Sequence, residues 1–399
     1  SSVTIKLKNN LTIDKYSGLN IVFIDDKFED ISVQLEVALS QKEEKIELEN
    51  SKLIDLRKSQ DTIQEIIDEI EYINKFGVFS PHKDDEKNHI SNEITVDGRH
   101  NHCQANDDSK DEKDLISNEI NYSGIDFLFI DINLGEDLSG HHLLNLLNRS
   151  IPGIVVFILS WTADEDEIEK CLNDHIIDGY LHKSQIFRIQ DFIKRSIENV
   201  DLLGHLVFHF SGFKRKILKK LIIVSKKNPN LLWLGQKSYS LVEHAYNHIH
   251  DMWKFINSYL ESIPKEMEYN EKDEDMFCFL VAIWLHDIGL SGNDIFYFPK
   301  NVRINHGLIS GDLIYRNRNS YFLEELSIYE NKEQSDMMER IRNKIVLLVS
   351  YHQRNSPLFY NAGSVRGEYL YDSTSFNWIK KITGPHFKEL YFNNIIISL

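Results

Sequence analysis

Ile125-Asp-Phe-Leu-Phe-Ile-Asp131 is a short apolar run that stops on an acid. A strand covered on both faces, as in a parallel sheet, reads as a near-continuous apolar run rather than as an alternation. Three further stretches share the pattern: Asn20-Ile-Val-Phe-Ile-Asp-Asp26, Gly153-Ile-Val-Val-Phe-Ile-Leu-Ser160 and Asp178-Gly-Tyr-Leu-His-Lys183. Helical patterns near 140–149 and 164–174 lie between the last three. This alternation predicts an α/β fold, a doubly wound parallel sheet with right-handed crossovers.

The gap between the first two of these strands is abnormally long. Residues 31–75 place Ile63, Ile66, Ile67, Ile70 and Ile73 at helical spacing among many charges, which predicts a long helix or helical hairpin. Such an element either pairs with another subunit or covers the sheet. Residues 81–115 are polar, with little to bury, and read as a loop; its histidines, His82, His89, His100 and His102, are expected to be solvated. Ile90-Ser-Asn-Glu-Ile94 recurs as Ile116-Ser-Asn-Glu-Ile120, a local duplication with no assigned role. A closing helix is expected within 186–210. Residues 211–227 then hold seven cations and no acid, a basic amphipathic connector with a solvated face. From Tyr239 onward the pattern is helical. The expected divisions are an α/β domain over 1–196 with a helical and disordered insertion at about 31–123, a basic helical connector over 197–235, and an all-α domain over 236–399.

Composition bounds the function. The 399 residues carry 62 acids against 45 Lys and Arg, a net charge of −17, which opposes general binding to nucleic-acid phosphates. Cys103, Cys171 and Cys278 are far apart, without a CxxC pair, as expected of reduced thiols in the cytoplasm. No apolar stretch approaches the ~18 residues that span a bilayer. The chain begins Ser-Ser, so it is read as processed or as a piece of a longer protein.

The strand-end acids Asp25, Asp26 and Asp131 should meet at the carboxyl edge of the sheet, where open α/β sheets place their sites. Carboxylates gathered there repel unless a hard cation such as Mg²⁺ lies between them. Ser160 ends the third strand and Lys183 the fourth, supplying a hydroxyl and an ammonium. Order and spacing resemble the receiver domain of two-component response regulators, a flavodoxin-like fold. The match covers roughly residues 18–196 apart from 31–123, through IVFIDD, FLFIDIN, ILSW and DGYLHK. The resemblance implies that Asp25 and Asp26, with Asp131, hold Mg²⁺. It implies that Asp131 accepts a phosphoryl group from a sensor histidine kinase or other phosphodonor, with Ser160 and Lys183 as switch residues. Gly135, Trp161 and Ser184 stand where the family usually has Pro, a small residue and Pro.

The second constellation centres on His286-Asp287, which closes the apolar run Phe277–Leu285. Burying an unpaired polar group costs roughly 2–7 kcal/mol, and a divalent metal would offset that. His250-Asp251 repeats the dipeptide in a less apolar setting. His244 and His248 precede the centre on one helical face; His306 and His352 follow it, each on an apolar helical stripe. The order His…His-Asp…His…His, with WLHDIG, RINHGLISGDLI and SYHQ, resembles the HD superfamily of metal-dependent phosphohydrolases over roughly 236–399. The resemblance implies ligation of one or two transition-metal ions (Mn, Fe, Zn or Co) by His248 (His244 as the alternate), His286, Asp287, His306 and His352, with Asp372 as a weaker candidate. Asp287 would bridge two ions and act in catalysis, with Lys300 and Arg303 meeting the phosphate by proximity in sequence. Leu290 follows HDIG where many relatives carry Lys, and no GYP follows Tyr351-His352.

Together the two resemblances imply a response regulator whose receiver controls a phosphohydrolase acting on a nucleotide or nucleotide second messenger. The alternatives are an adaptor that binds a nucleotide or protein without turnover, and an HD nuclease. A homodimer through 31–75 or the connector is the expected assembly.

Overall fold

The computed structural model describes residues 2–40, 50–55, 59–78, 80, 116–117, 119–134, 140–151, 153–161, 165–173, 176–232, 239–261, 273–291, 299–317, 321 and 323–352. Two compact units result: Ser1–Glu198 with Ser211–Lys216, and Asn199–Phe210 with Ile217–Leu399.

The first unit contains β1 (Ser2–Ile13), β2 (Tyr16–Asp25), α1 (Glu29–Leu39), β3 (Asn50–Asp55), α2 (Ser59–Phe76), β4 (Phe127–Ile130), α3 (Gly140–Ser150), β5 (Val155–Ser160), α4 (Glu165–Asn173), β6 (Gly179–His182), a 3-10 segment (Lys183–Arg188) and α5 (Ile189–Glu198). Strand order is β3-β1-β2-β4-β5-β6. β2, β4, β5 and β6 pair in parallel, with Ile24 opposite Ile130 and Ile130 opposite Ile158. The expectation of a parallel sheet holds for these four strands and fails at one edge. There β1 lies antiparallel to both β2 and β3. Ile5, Leu7, Leu11 and Ile13 are buried while Thr4, Lys6, Lys8 and Thr12 are partly exposed, the period-two pattern of a strand with one covered face.

The sheet separates its apolar side chains by shape. Val22, Ile24, Leu128, Ile130, Val156 and Ile158 face one layer and join Ile66, Ile70 and Ile73 of α2, Leu143, Leu144 and Leu147 of α3, and Ile168 of α4. Phe23, Phe129 and Phe157 point the other way and pack ring to ring, extended by Phe28 and by Phe192 of α5. Helices therefore cover both faces. The stretch 31–75 is not one long helix or a hairpin: it holds most of α1, then β3, then α2. Its isoleucines Ile66, Ile67, Ile70 and Ile73 lie in this unit's own core, so the covering role, and not an exposed pairing face, accounts for their spacing. The loop expected over 81–115 lies outside the described residues.

The second unit is helical. It holds a 3-10 segment (His205–His209), most of α6 (Gly212–Lys227), α7 (Pro229–Leu232), α8 (Tyr239–Glu261), α9 (Asp273–Leu285), 3-10 segments at Ile288–Ser291 and Glu324–Ser327, α10 (Pro299–Arg316) and α11 (Lys332–Tyr351). α9 is apolar nearly all round, as a helix surrounded by others must be; Phe277, Leu280, Val281, Trp284 and Leu285 are all fully buried. Trp253 of α8 packs on Trp284, and its Nε1 donates to Leu203 O at 3.1 Å. Asn331 caps α11 by accepting from Gln334 N at 2.9 Å, while Gln334 Oε1 accepts from the N–H of Glu330, the residue before the cap, at 2.8 Å. Among the described residues no helix is long and apolar enough to cross a membrane.

The connector differs from its expected solvated face. Arg215, Lys216 and Lys219 of α6 are buried. Within the first unit, Arg215 donates to Gly18 O at 2.8 Å and Ser17 O at 3.2 Å and lies 3.6 Å from Asp126. Within the second, Lys220 pairs with Glu324 at 2.6 Å and with Glu325. These cations are used inside the fold, which leaves less basic surface than the sequence suggests.

Candidate functional site

The carboxyl edge of the sheet brings together Asp25 at the end of β2, Asp131 just after β4, Ser160 at the end of β5 and Lys183 just after β6. Lys183, only 1% exposed, places Nζ 2.6 Å from Asp25 Oδ2 and 2.5 Å from Asp131 Oδ2. The other oxygen of each acid accepts a backbone N–H two residues on: Lys27 N to Asp25 Oδ1 at 2.7 Å and Asn133 N to Asp131 Oδ1 at 3.1 Å. Asp26 joins them, the three carboxylates offering oxygens all within 4.8 Å of one another.

Among the described residues one buried ammonium, that of Lys183, bonds this group of three carboxylates. Burial, then the nearby Asp131 carboxylate, raises the pKa of Asp26. Burial also raises that of Asp25, with Lys183 working against it. Burial disfavours the Lys183 cation, but its bonds to Asp131 and Asp25 outweigh this and its pKa is raised. The cluster is short of positive charge and suits a hard divalent cation with oxygen ligands. Ser160 Oγ is buried with no hydrogen-bond partner among the described residues. His182, beside Lys183, ties the rim: its Nε2 meets Trp161 O at 2.7 Å and its Nδ1 meets Ser184 Oγ at 2.6 Å.

In the helical unit, His286 directly follows α9 and His352 directly follows α11. Both rings fold back over the last helical turn in the same way: His286 Nδ1 lies 2.7 Å from Ile283 O, and His352 Nδ1 lies 2.7 Å from Val349 O. A carbonyl only accepts, so each Nδ1 carries a proton and each Nε2 is turned inward. Those Nε2 atoms converge on Asp287. His286 Nε2 is 3.2 Å from Asp287 Oδ2, and His306 Nε2 of α10 is 3.0 Å from Oδ1 and 3.1 Å from His352 Nε2. One atom each from His286, Asp287 and His352 lies within 4.8 Å of the others.

Burial would raise the Asp287 pKa, but bonds to His286 and His306 outweigh it and hold the carboxylate well below its usual range. Burial, reinforced by His286, pushes His352 down to about 3, so its ring is neutral at physiological pH. Imidazole nitrogens held in place around one buried carboxylate are a donor set that could hold a metal ion.

The structure places the remaining sequence candidates unequally. His248 is exposed, its ring centroid 5.6 Å from that of His286, beside the cluster rather than inside it. Asp372 and the side chains of His244, Lys300 and Arg303 lie outside the described residues. The repeated dipeptide is structural: His250 is buried edge-on against Trp284, and Asp251 is exposed. Leu290 is buried against Ile309 and Leu313.

Sequence reading missed the support beneath the metal-type residues. Ser310 Oγ accepts from Gly289 N at 2.7 Å and donates to His286 O at 2.7 Å, fastening the turn after α9 to α10. Gly307 lets α10 lie close to His352, for a β-carbon there would meet the His352 ring at 3.0 Å. The only available signal was the small-residue spacing of Gly307, Ser310 and Gly311. No protein-family model, curated protein or solved structure matches the chain.

Proposed function

We propose that this chain is a response regulator of receiver type whose helical unit is a metal-dependent phosphohydrolase of HD type, acting on a nucleotide or nucleotide second messenger. The observation that carries the hydrolase reading is the matched pair of helix-ending histidines, His286 and His352, with Nε2 atoms turned onto Asp287 beside His306. Mn, Fe, Zn or Co suits that nitrogen-rich set. A bound ion of this kind lowers the pKa of a ligating water and polarises a phosphoryl oxygen. The chain's own residues do the rest. The backbone carbonyls of Ile283 and Val349 accept from the two Nδ1 groups and so orient the rings, and the Asp287 carboxylate, ionised throughout the physiological range, supplies the negative charge that anchors a cation.

The receiver reading rests on Asp25, Asp26 and Asp131 around Lys183, with the Ser160 hydroxyl at the same edge. Mg²⁺ suits the oxygen cluster, and Lys183 is placed to neutralise charge on a phosphoryl group carried by Asp131. Phosphorylation would add about −1.5 to −2 charges there. It alters output only by shifting a two-state element, for which the Ser160–Trp161 strand end is the candidate.

One observation favours a second reading, an adaptor that binds without turnover. Leu290, buried against Ile309 and Leu313, leaves an apolar contact where relatives of this motif carry a phosphate-meeting Lys. A hydrolysis screen separates the two. The purified chain, loaded in turn with Mn²⁺, Fe²⁺, Zn²⁺ and Co²⁺, is assayed against nucleoside mono-, di- and triphosphates and cyclic mono- and dinucleotides. Metal-dependent release of product, abolished by Asp287→Ala, is expected; nucleotide binding without product from any member would favour the adaptor.

A further inference from the structure

Among the described residues of the helical unit, Phe255 and Tyr259 of α8 are the most exposed large apolar side chains, at 68% and 57%. Their rings are nearly parallel, 13° apart with centroids at 6.0 Å. Two adjoining, largely exposed aromatic rings are costly, whereas single scattered ones are not. The opposite side of the same helix buries Ile249 and Trp253, so the pair is not part of the core packing.

Their position along α8 is specific. At 100° per residue, Phe255 and Tyr259 stand seven and eleven positions after His248, within about 20° of its direction on either side. His248, Met252, Phe255 and Tyr259 therefore form one stripe. Its N-terminal member stands 5.6 Å, ring to ring, from His286. Phe255 lies about 10 Å further along the axis than His248. A phosphate compound extended from the cluster along α8 would run beside this stripe.

We propose that Phe255 and Tyr259 form a stacking shelf for the nucleobase of a nucleotide whose phosphate sits at the His286–Asp287 cluster. The inference rests on the hydrolase reading for the phosphate and on the α8 stripe for the base. Aromatic stacking tolerates any base, so the shelf selects nucleotides over other phosphoesters and not one base over another.

The test is calorimetric titration of the Mn²⁺-loaded full chain with AMP, GMP and ribose 5-phosphate, in wild type, Phe255→Ala and Phe255→Trp. Both nucleotides are expected to bind roughly tenfold to a hundredfold tighter than ribose 5-phosphate. Phe255→Ala should remove most of that advantage and Phe255→Trp retain it. Equal binding of all three to wild type, or equal weakening of all three by Phe255→Ala, overturns the shelf. So does a change of oligomeric state in Phe255→Ala without loss of base preference, which would make the aromatic pair a contact between copies. Base preference with nucleotide affinity that does not change on adding metal leaves the shelf standing and counts against the hydrolase reading. Metal-dependent binding without base preference does the reverse.

Discussion

Gly311 of α10 and Ser350 of α11 approach so closely that a β-carbon on Gly311 would stand 1.8 Å from Ser350 Oγ. Ser350 Oγ is held in place by its bond to Val346 O at 2.7 Å. This close crossing lets α10 deliver His306 and α11 deliver His352 to the same carboxylate. Gly311→Val forces the helices apart and should cost about 1–3 kcal/mol of stability. Gly311→Ala should cost less, and adding Ser350→Ala should recover part of the loss because the first obstruction is the hydroxyl. Chemical denaturation of the three variants checks the order; equal stability of Gly311→Val and wild type would contradict the close packing.

Ser310 supports the same site from beneath. Ser310→Ala leaves Gly289 N and His286 O without their shared partner, at a cost of about 1–3 kcal/mol. Because the turn positions both His286 and Asp287, retained metal affinity should fall by roughly tenfold to a hundredfold. Competition against a fluorescent chelator measures it.

At the sheet edge, Lys183→Met removes the buried ammonium that bonds Asp25 and Asp131. Breaking a buried pair in this way should destabilise the first unit by about 3–5 kcal/mol. Added Mg²⁺ should restore more stability to the variant than to wild type, since the cation then supplies the missing charge. Thermal melts with and without Mg²⁺ decide it, and an equal Mg²⁺ effect on both proteins would count against a cation site there.

His250 gives the helical unit a pH dependence of known sign. Burial, then Lys226 and Lys254, lowers its pKa from 6.5 to about 4. Between those values the unfolded chain takes up a proton that the folded one refuses, so stability falls as pH drops from 6.5 toward 4. The share due to His250 is at most about 3 kcal/mol, and His250→Gln should flatten the profile by that share. A profile that is unchanged in the variant would assign the dependence to other groups.

The parts of the fold legible in the sequence are those whose signal is local. β2, β4, β5 and β6 announce themselves as apolar runs because both their faces are covered. β1 was legible in principle, since Ile5 and Leu7 alternate with lysines, but its place between β2 and β3 depends on pairing across the sheet. The pairing of Lys220 in α6 is not legible because its partners, Glu324 and Glu325, stand 104 and 105 residues away in sequence. The histidines of the site were visible because each ends or lies on an apolar helical stripe. Ser310 was not, because a hydroxyl bridging two backbone groups leaves no periodic mark. Nor could spacing distinguish His248 at the rim from His286 within the cluster.

We propose that His286, Asp287, His306 and His352 hold a transition metal. The decisive measurement is elemental analysis of the full chain, purified without chelator after growth in medium supplemented with Mn, Fe, Zn and Co. Near-stoichiometric metal in wild type is expected, with its loss in Asp287→Ala and His306→Ala while circular dichroism stays helical. A folded wild-type chain without metal, or one whose metal survives Asp287→Ala, would contradict it.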